Sequence, residues 1–190
     1  MKRSIIVLLF LAALYSHAQD LAFGRQMVDT LASPFFWGRG YTNDGMGKAA
    51  DFLAAQFESY GLKPMKGRSF LQAFSYSVNT FPGKVELNLN GTKLEPGRDF
   101  IVSPESRGVK GRGNLEQTEP SQFVNRDLRV IVKLEDKLTW SVSQQAADYT
   151  VVLVDKKSVT LPLTSIELNI ENKFVEKFKI SNVCGIVKGT

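Results

Sequence analysis

The sequence predicts an α/β protein on three observations. An apolar stripe at three- and four-residue spacing, punctuated at both ends, runs through residues 44–60. From Phe70 onward the texture changes to the two-residue alternation of strands. Over residues 128–155 an apolar run, an amphipathic stretch and a second apolar run follow one another in the order of a β-α-β unit.

The chain opens with Lys2 and Arg3, the apolar run Ile5 to Leu14, and Ser16-His17-Ala18 before Gln19, the composition of a secretion signal with its small-x-small cleavage site. The run is shorter than the roughly 20 residues a bilayer span requires, and no cysteine stands at the cleavage point to carry a lipid. The protein is therefore expected to be exported, periplasmic or secreted, and off the membrane once the signal is removed. Asp20 is placed to cap a first helix bearing Leu21, Met27, Val28 and Leu31, and Ser33-Pro34 ends it, because the residue before proline avoids the helical region.

An aromatic cluster, Phe35-Phe36-Trp37, leads into the turn Gly38-Arg39-Gly40, where Arg39 is expected to pair with a carboxylate elsewhere. Asn43 or Asp44 then caps a second helix whose stripe is Met46, Ala49, Ala50, Leu53, Phe57 and Tyr60. Gly61 suits a left-handed C-terminal cap, with Leu62 beyond it as the hydrophobic contact and Pro64 preventing continuation.

Val85, Leu87 and Leu89 alternate with Glu86 and Asn88, and Asn90-Gly91 gives a hairpin turn into Thr92-Lys93-Leu94. Asn90-Gly91-Thr92 is also a glycosylation sequon, and the turn explains it better. The basic glycine-rich stretch Arg107 to Gly113 matches no phosphate-binding glycine spacing and is expected to be a mobile surface loop. Leu128 to Val132 reads as a strand, Lys137 to Ala147 as a short amphipathic helix, and Tyr149 to Asp155 as a buried strand. Ile166, Leu168 and Ile170 form a strand with one wet face, Lys173 to Ile180 another, and Asn182 to Val187 a last apolar strand before Gly189-Thr190.

A hydrophobic content of 43% with 13 phenylalanines over 190 residues supports a real core, in one domain or one and a half. Loss of Lys2 and Arg3 with the signal lowers the basic count from 24 to 22 against 19 acidic residues, leaving a formal charge of +3. Such a mild excess points to no nucleic-acid partner. Cys184 stands alone, so an internal disulfide is excluded, and its apolar neighbours suggest a buried small side chain.

The one histidine, His17, falls inside the signal. Without imidazole, Ser-His-Asp and Cys-His nucleophiles are closed, and zinc hydrolases nearly always use a histidine ligand. Carboxylate chemistry finds no better footing: Asp127 and Glu135-Asp136 sit in charged stretches, and no aspartic-protease pair occurs. Ser-x-x-Lys and Gly-x-Ser-x-Gly are missing, and Asn43-Asp44-Gly45 lacks the alternating acids of a calcium loop. No catalytic, cofactor-binding or metal residue is assigned to this chain.

Leu31 to Pro34, the Gly38-Arg39-Gly40 turn, the helix Gly47 to Phe57 and the exit Tyr60-Gly61-Leu62-Lys63-Pro64 together resemble the N-terminal region of exported zinc aminopeptidases of peptidase family twenty-eight. Asn182 to Val187 with Gly189-Thr190 resembles the family strand that precedes the first metal ligand. The resemblance implies four parts: a signal peptide (1–18), the helical part of a peptidase-like α/β domain (19–75), an inserted β-rich, protease-associated-like domain (76–180) and a returning strand (181–190). It further implies a metallopeptidase in which two zinc ions act on a peptide substrate, with every ligand and the general base downstream of residue 190. This chain is accordingly expected to bind no zinc and to be inactive by itself, with Met46, Leu53 and Phe57 partly exposed. Relatives include carboxypeptidases and glutaminyl cyclases. A non-catalytic exported binding or interaction module is the alternative, and it requires segments 20–64 and 181–190 to find burial within the chain.

Overall fold

The computed structural model describes residues 20–189, so the segment expected to be a secretion signal, with His17, lies outside the described residues. The chain divides into two compact units, Met1–Lys63 with Val187–Thr190 and Pro64–Ile186. The architecture is mixed α/β, with strands predominating.

In the first unit, α1 (Leu21–Ala32) starts where expected: Asp20 Oδ1 accepts the Phe23 N–H at 2.9 Å. Ser33 is extended, and α1 stops. Arg39 Nη1 donates to the Leu31 carbonyl at 2.6 Å, so its partner is a backbone oxygen in the last turn of α1 rather than a carboxylate. The 3₁₀ turns Pro34–Arg39 and Thr42–Asp44 bring the chain to α2 (Gly45–Ser59).

The start of α2 differs from expectation. Asp44 is left-handed (φ 56°, ψ 38°) and makes no side-chain cap; the Met46 N–H is instead satisfied by the Gly40 carbonyl at 3.0 Å. Gly45 is required there, because a Cβ would overlap the Phe36 carbonyl. The other end follows the sequence: Gly61 has φ 74°, its N–H donates to the Glu58 carbonyl at 2.9 Å, and Leu62 N–H donates to the Phe57 carbonyl at 3.1 Å, the two bonds of a Schellman cap.

The second unit contains two packed sheets and a ribbon. Where the chain enters and leaves it, the two-residue strands β1 (Lys63–Pro64) and β13 (Gly185–Ile186) pair. The ribbon joins β2 (Leu71–Thr80) to β12 (Lys173–Val183), antiparallel, with a bulge between Val175 and Phe178. The four-stranded sheet takes β3 (Val85–Leu89), β4 (Thr92–Leu94), β6 (Val109–Asn114) and β11 (Ser165–Ile170) in the order β4-β3-β11-β6. The five-stranded sheet takes β5 (Phe100–Val102), β7 (Glu116–Glu119), β8 (Gln122–Asn125), β9 (Val130–Glu135) and β10 (Thr150–Asp155) in the order β5-β10-β9-β8-β7.

One core lies between these sheets: Leu87, Leu89, Ile166, Leu168 and Ile170 from one, Phe100, Phe123, Val130, Val132, Val152 and Val154 from the other. Alternation along each strand aims these residues inward. Asn90 and Gly91 take φ 51° and 82° at the β3–β4 turn, as a two-residue hairpin requires. Asn90 Nδ2 donates to the Pro162 carbonyl at 2.7 Å, and its Oδ1 accepts from Thr164 and Ser165, which accounts for the asparagine as a structural clamp.

Four expectations are corrected. Most of the Arg107–Gly113 stretch is strand β6, paired with β11 from Val109 to Asn114. Its glycines permit this: a Cβ at Gly111 would overlap the Leu128 side chain and one at Gly113 the Asn125 amide. Residues 137–147 form no helix. Their backbone serves neighbours instead, the Ser143 carbonyl accepting from Asn79 N–H at 2.9 Å and Ala147 N–H donating to the Glu105 carbonyl at 2.7 Å. Trp140 and Val142 are 68% and 67% exposed, so no burial favours a helix in a run rich in serine and β-branched residues. The strand expected at Leu128 begins at Val130, because Arg129 is left-handed (φ 55°) and Asn125 Oδ1 holds the Leu128 N–H in a turn at 2.8 Å. Cys184 is half-buried rather than buried. The β-x-β order itself is present: β9 and β10 run parallel and in register, joined by an irregular crossover.

Candidate functional site

The outer face of the four-stranded sheet holds an open groove of about 610 Å³. Register assembles it in two rows. Lys93, Asn88, Glu167 and Arg112 lie directly across β4, β3, β11 and β6, and Glu86, Asn169 and Lys110 form the next row. Because inward positions on β3, β6 and β11 are apolar or glycine, the polar side chains of these three strands fall on the other face.

The charges are ordered: Lys93 stands on one outer strand, Lys110 and Arg112 on the opposite one, and Glu86 and Glu167 on the two central strands. Asn169 Nδ2 donates to Glu86 Oε2 at 3.4 Å, a weak bond. No ion pair joins these groups among the described residues, although Glu167 and Arg112 are cross-strand neighbours. Such a face can bind a hydrophilic ligand or chain through amides and charges of both signs. Its lining holds two carboxylates, Glu86 and Glu167, and no serine, cysteine or histidine.

Each residue weighed in the sequence has a local role of its own. Arg39 braces α1, Asp44 precedes α2, Asp136 pairs with Lys156 at 3.0 Å, and Arg112 alone of the glycine-rich stretch's arginines reaches the groove. The groove escaped sequence reading because β6 looked like a loop; alternation of Lys110 and Arg112 with Gly111 and Gly113 is the signal that marks it as a strand.

The largest charge perturbation lies elsewhere, in the turn after β4. The Arg98 guanidinium, hydrogen-bonded to Asp99, together with the Glu95 N–H, holds the Asp99 carboxyl well below the usual carboxylate range. Ser158 adds a further donor at 3.2 Å. This carboxylate is fully engaged in bracing the turn.

Among the described residues, no three His, Cys, Asp or Glu side chains converge in a way that could hold a metal ion. No helix among them is long and apolar enough to cross a membrane. Comparison with protein-family models, curated proteins and solved structures gives no match.

Proposed function

We propose that this chain is the N-terminal portion of an exported zinc-dependent aminopeptidase and that it hydrolyses no peptide by itself. The observation that carries the reading is the unfinished packing of the helical unit. In α2 only Gly45, Ala49 and Ala50 are buried, while Met46 and Leu53 on the same stripe are half-buried, and α1 buries no residue. A helix with such a stripe is built to cover an apolar surface, and in the family it resembles, that surface is the catalytic sheet. The Gly-Arg turn has a structural part in this reading, since Arg39 and Gly40 hold α1 and α2 by their ends.

The β-rich unit supports a second reading, a non-catalytic exported binding module, through its closed core and its polar groove. The two readings part at the coding DNA beyond Thr190. A His-x-Asp motif within a few tens of codons, followed by paired glutamates and a later histidine, is the expected result. A stop codon followed by unrelated sequence overturns the aminopeptidase reading and leaves the binding module.

A further inference from the structure

We propose that the outer edge of β2 receives the same strand of a second copy of this chain, making a four-stranded antiparallel sheet in the order β12-β2-β2-β12. Natural sheets blunt their edges with short strands, charges, proline or bulges. In the second unit β4 and β5 are three residues long, β6 carries Lys110 and Arg112, β7 carries Glu116 and Glu119, and β12 carries Lys173, Glu176, Lys177 and Lys179. β2 is the exception: ten residues, Leu71-Gln72-Ala73-Phe74-Ser75-Tyr76-Ser77-Val78-Asn79-Thr80, with no charge, proline or glycine. Among the described residues, β12 is its one strand partner.

The backbone fixes the register. Asn79 N–H donates away from β12, to the Ser143 carbonyl, at 2.9 Å. Since outward-facing residues alternate along a strand, Ala73, Ser75 and Ser77 also present their N–H and C=O groups to the outer edge. These three are symmetric about Ser75. A two-fold axis through Ser75 pairs Ser75 with its own copy and Ala73 with Ser77, and the pairing stops there, because the chain's own segment takes the edge beyond: the Ser143 carbonyl accepts the Asn79 N–H, and Ser77 Oγ donates to the Gln144 carbonyl at 2.8 Å.

The same axis sets Phe74 opposite Tyr76 of the second copy, a close non-hydrogen-bonded position that favours aromatic pairs. Phe74 is 42% exposed and already stacks on Tyr76 within the strand, centroids 6.1 Å apart. The absence of charge lets the strand face itself without repulsion, and isologous pairing closes the assembly at two copies.

The test uses the chain from Gln19 onward, in sedimentation equilibrium over a concentration series. A concentration-dependent dimer is expected. Ser75→Lys, at an exposed position, sets like charges directly opposite each other and is expected to weaken the dimer about fivefold or more, with circular dichroism and urea midpoint unchanged. A second measurement reads the register in a Cys184→Ser background. Ser75→Cys places two thiols on residues about 5.5 Å apart at Cα, within disulfide reach, and is expected to cross-link on mild oxidation. Ala73→Cys, which faces Ser77, is not. A chain that stays monomeric at every concentration, a dimer that Ser75→Lys leaves unaltered, or equal cross-linking of both cysteine variants overturns the proposal. None of these results bears on the aminopeptidase reading, which the coding DNA tests separately.

Discussion

The helical unit and the β-rich unit carry similar apolar side chains and treat them in opposite ways. In the β-rich unit Phe100, Phe123, Val132, Val152 and Val154 have no exposed surface, and fourteen residues make one buried cluster. Among the described residues of the helical unit Phe36 is the one large side chain buried, while Leu21, Val28, Phe35 and Trp37 are each more than half exposed. The difference is topological. Two sheets laid face to face satisfy each other's apolar surface, whereas two short helices and a turn enclose little volume between them. Local order in the helical unit comes from its ends: the Asp20 cap, the Gly40 carbonyl, the Schellman bonds at Gly61 and the Arg39 brace.

The sharpest way to break this contrast is to truncate a large side chain in each unit. Phe123→Ala in the sandwich is expected to cost about 3–5 kcal/mol, read as a drop in the urea midpoint. Val28→Ala, 65% exposed on α1, is expected to change it by less than about 0.5 kcal/mol. An equal loss at both sites would mean that the helices have a core after all.

Next in size is Asn79→Ala. Asn79 is 3% exposed, donates to the Pro104 and Ser106 carbonyls at 2.8 and 2.7 Å, and accepts from Asn172 at 2.9 Å. Removing it strands one buried and two partly buried groups, with an expected cost of about 2–3 kcal/mol and loss of amide protection at the base of the ribbon. Undiminished protection would show that the amide network does not anchor β2.

Gly113→Val sharpens the comparison from the other side. The added side chain meets Asn125, so about 1–3 kcal/mol of overpacking strain is expected. A neutral result by thermal melting would argue against close packing of β6 over β8.

The smallest effect is electrostatic. Because Asp99 titrates below its unfolded value, its contribution is fully present above about pH 5 and declines as acid brings the solution below the unfolded carboxylate value of about 4. Asp99→Asn should therefore be less stable than the wild type at pH 7, with the gap narrowing by pH 3. A gap independent of pH would assign the effect to turn geometry alone.

The split between legible and illegible features follows the range of the interactions. The Asp20 cap, the Gly61 exit, the Asn90-Gly91 turn and the alternation at 85–89 and 166–170 were readable because each is settled within a few residues. The groove was only half readable: Glu86, Asn88, Glu167 and Asn169 fall on expected strands, but its cationic wall needed β6. Even at short range, competition can mislead, as at α2, where the Gly40 carbonyl displaces the expected Asp44 side chain.

By itself, then, the sequence determined where α1 begins and ends, where α2 ends, and which faces of β3 and β11 are apolar, since these depend on backbone hydrogen bonds and side-chain period. Only the tertiary structure decided that Val109–Asn114 is a strand and that residues 137–147 are not a helix. Both outcomes hinge on distant partners: Leu128 and Asn125 fill the space above two glycines, and Asn79 and Glu105 take up the backbone groups a helix would have paired internally. Contacts made across tens of residues leave no period in the chain, so their outcome becomes visible only when the sheets are packed.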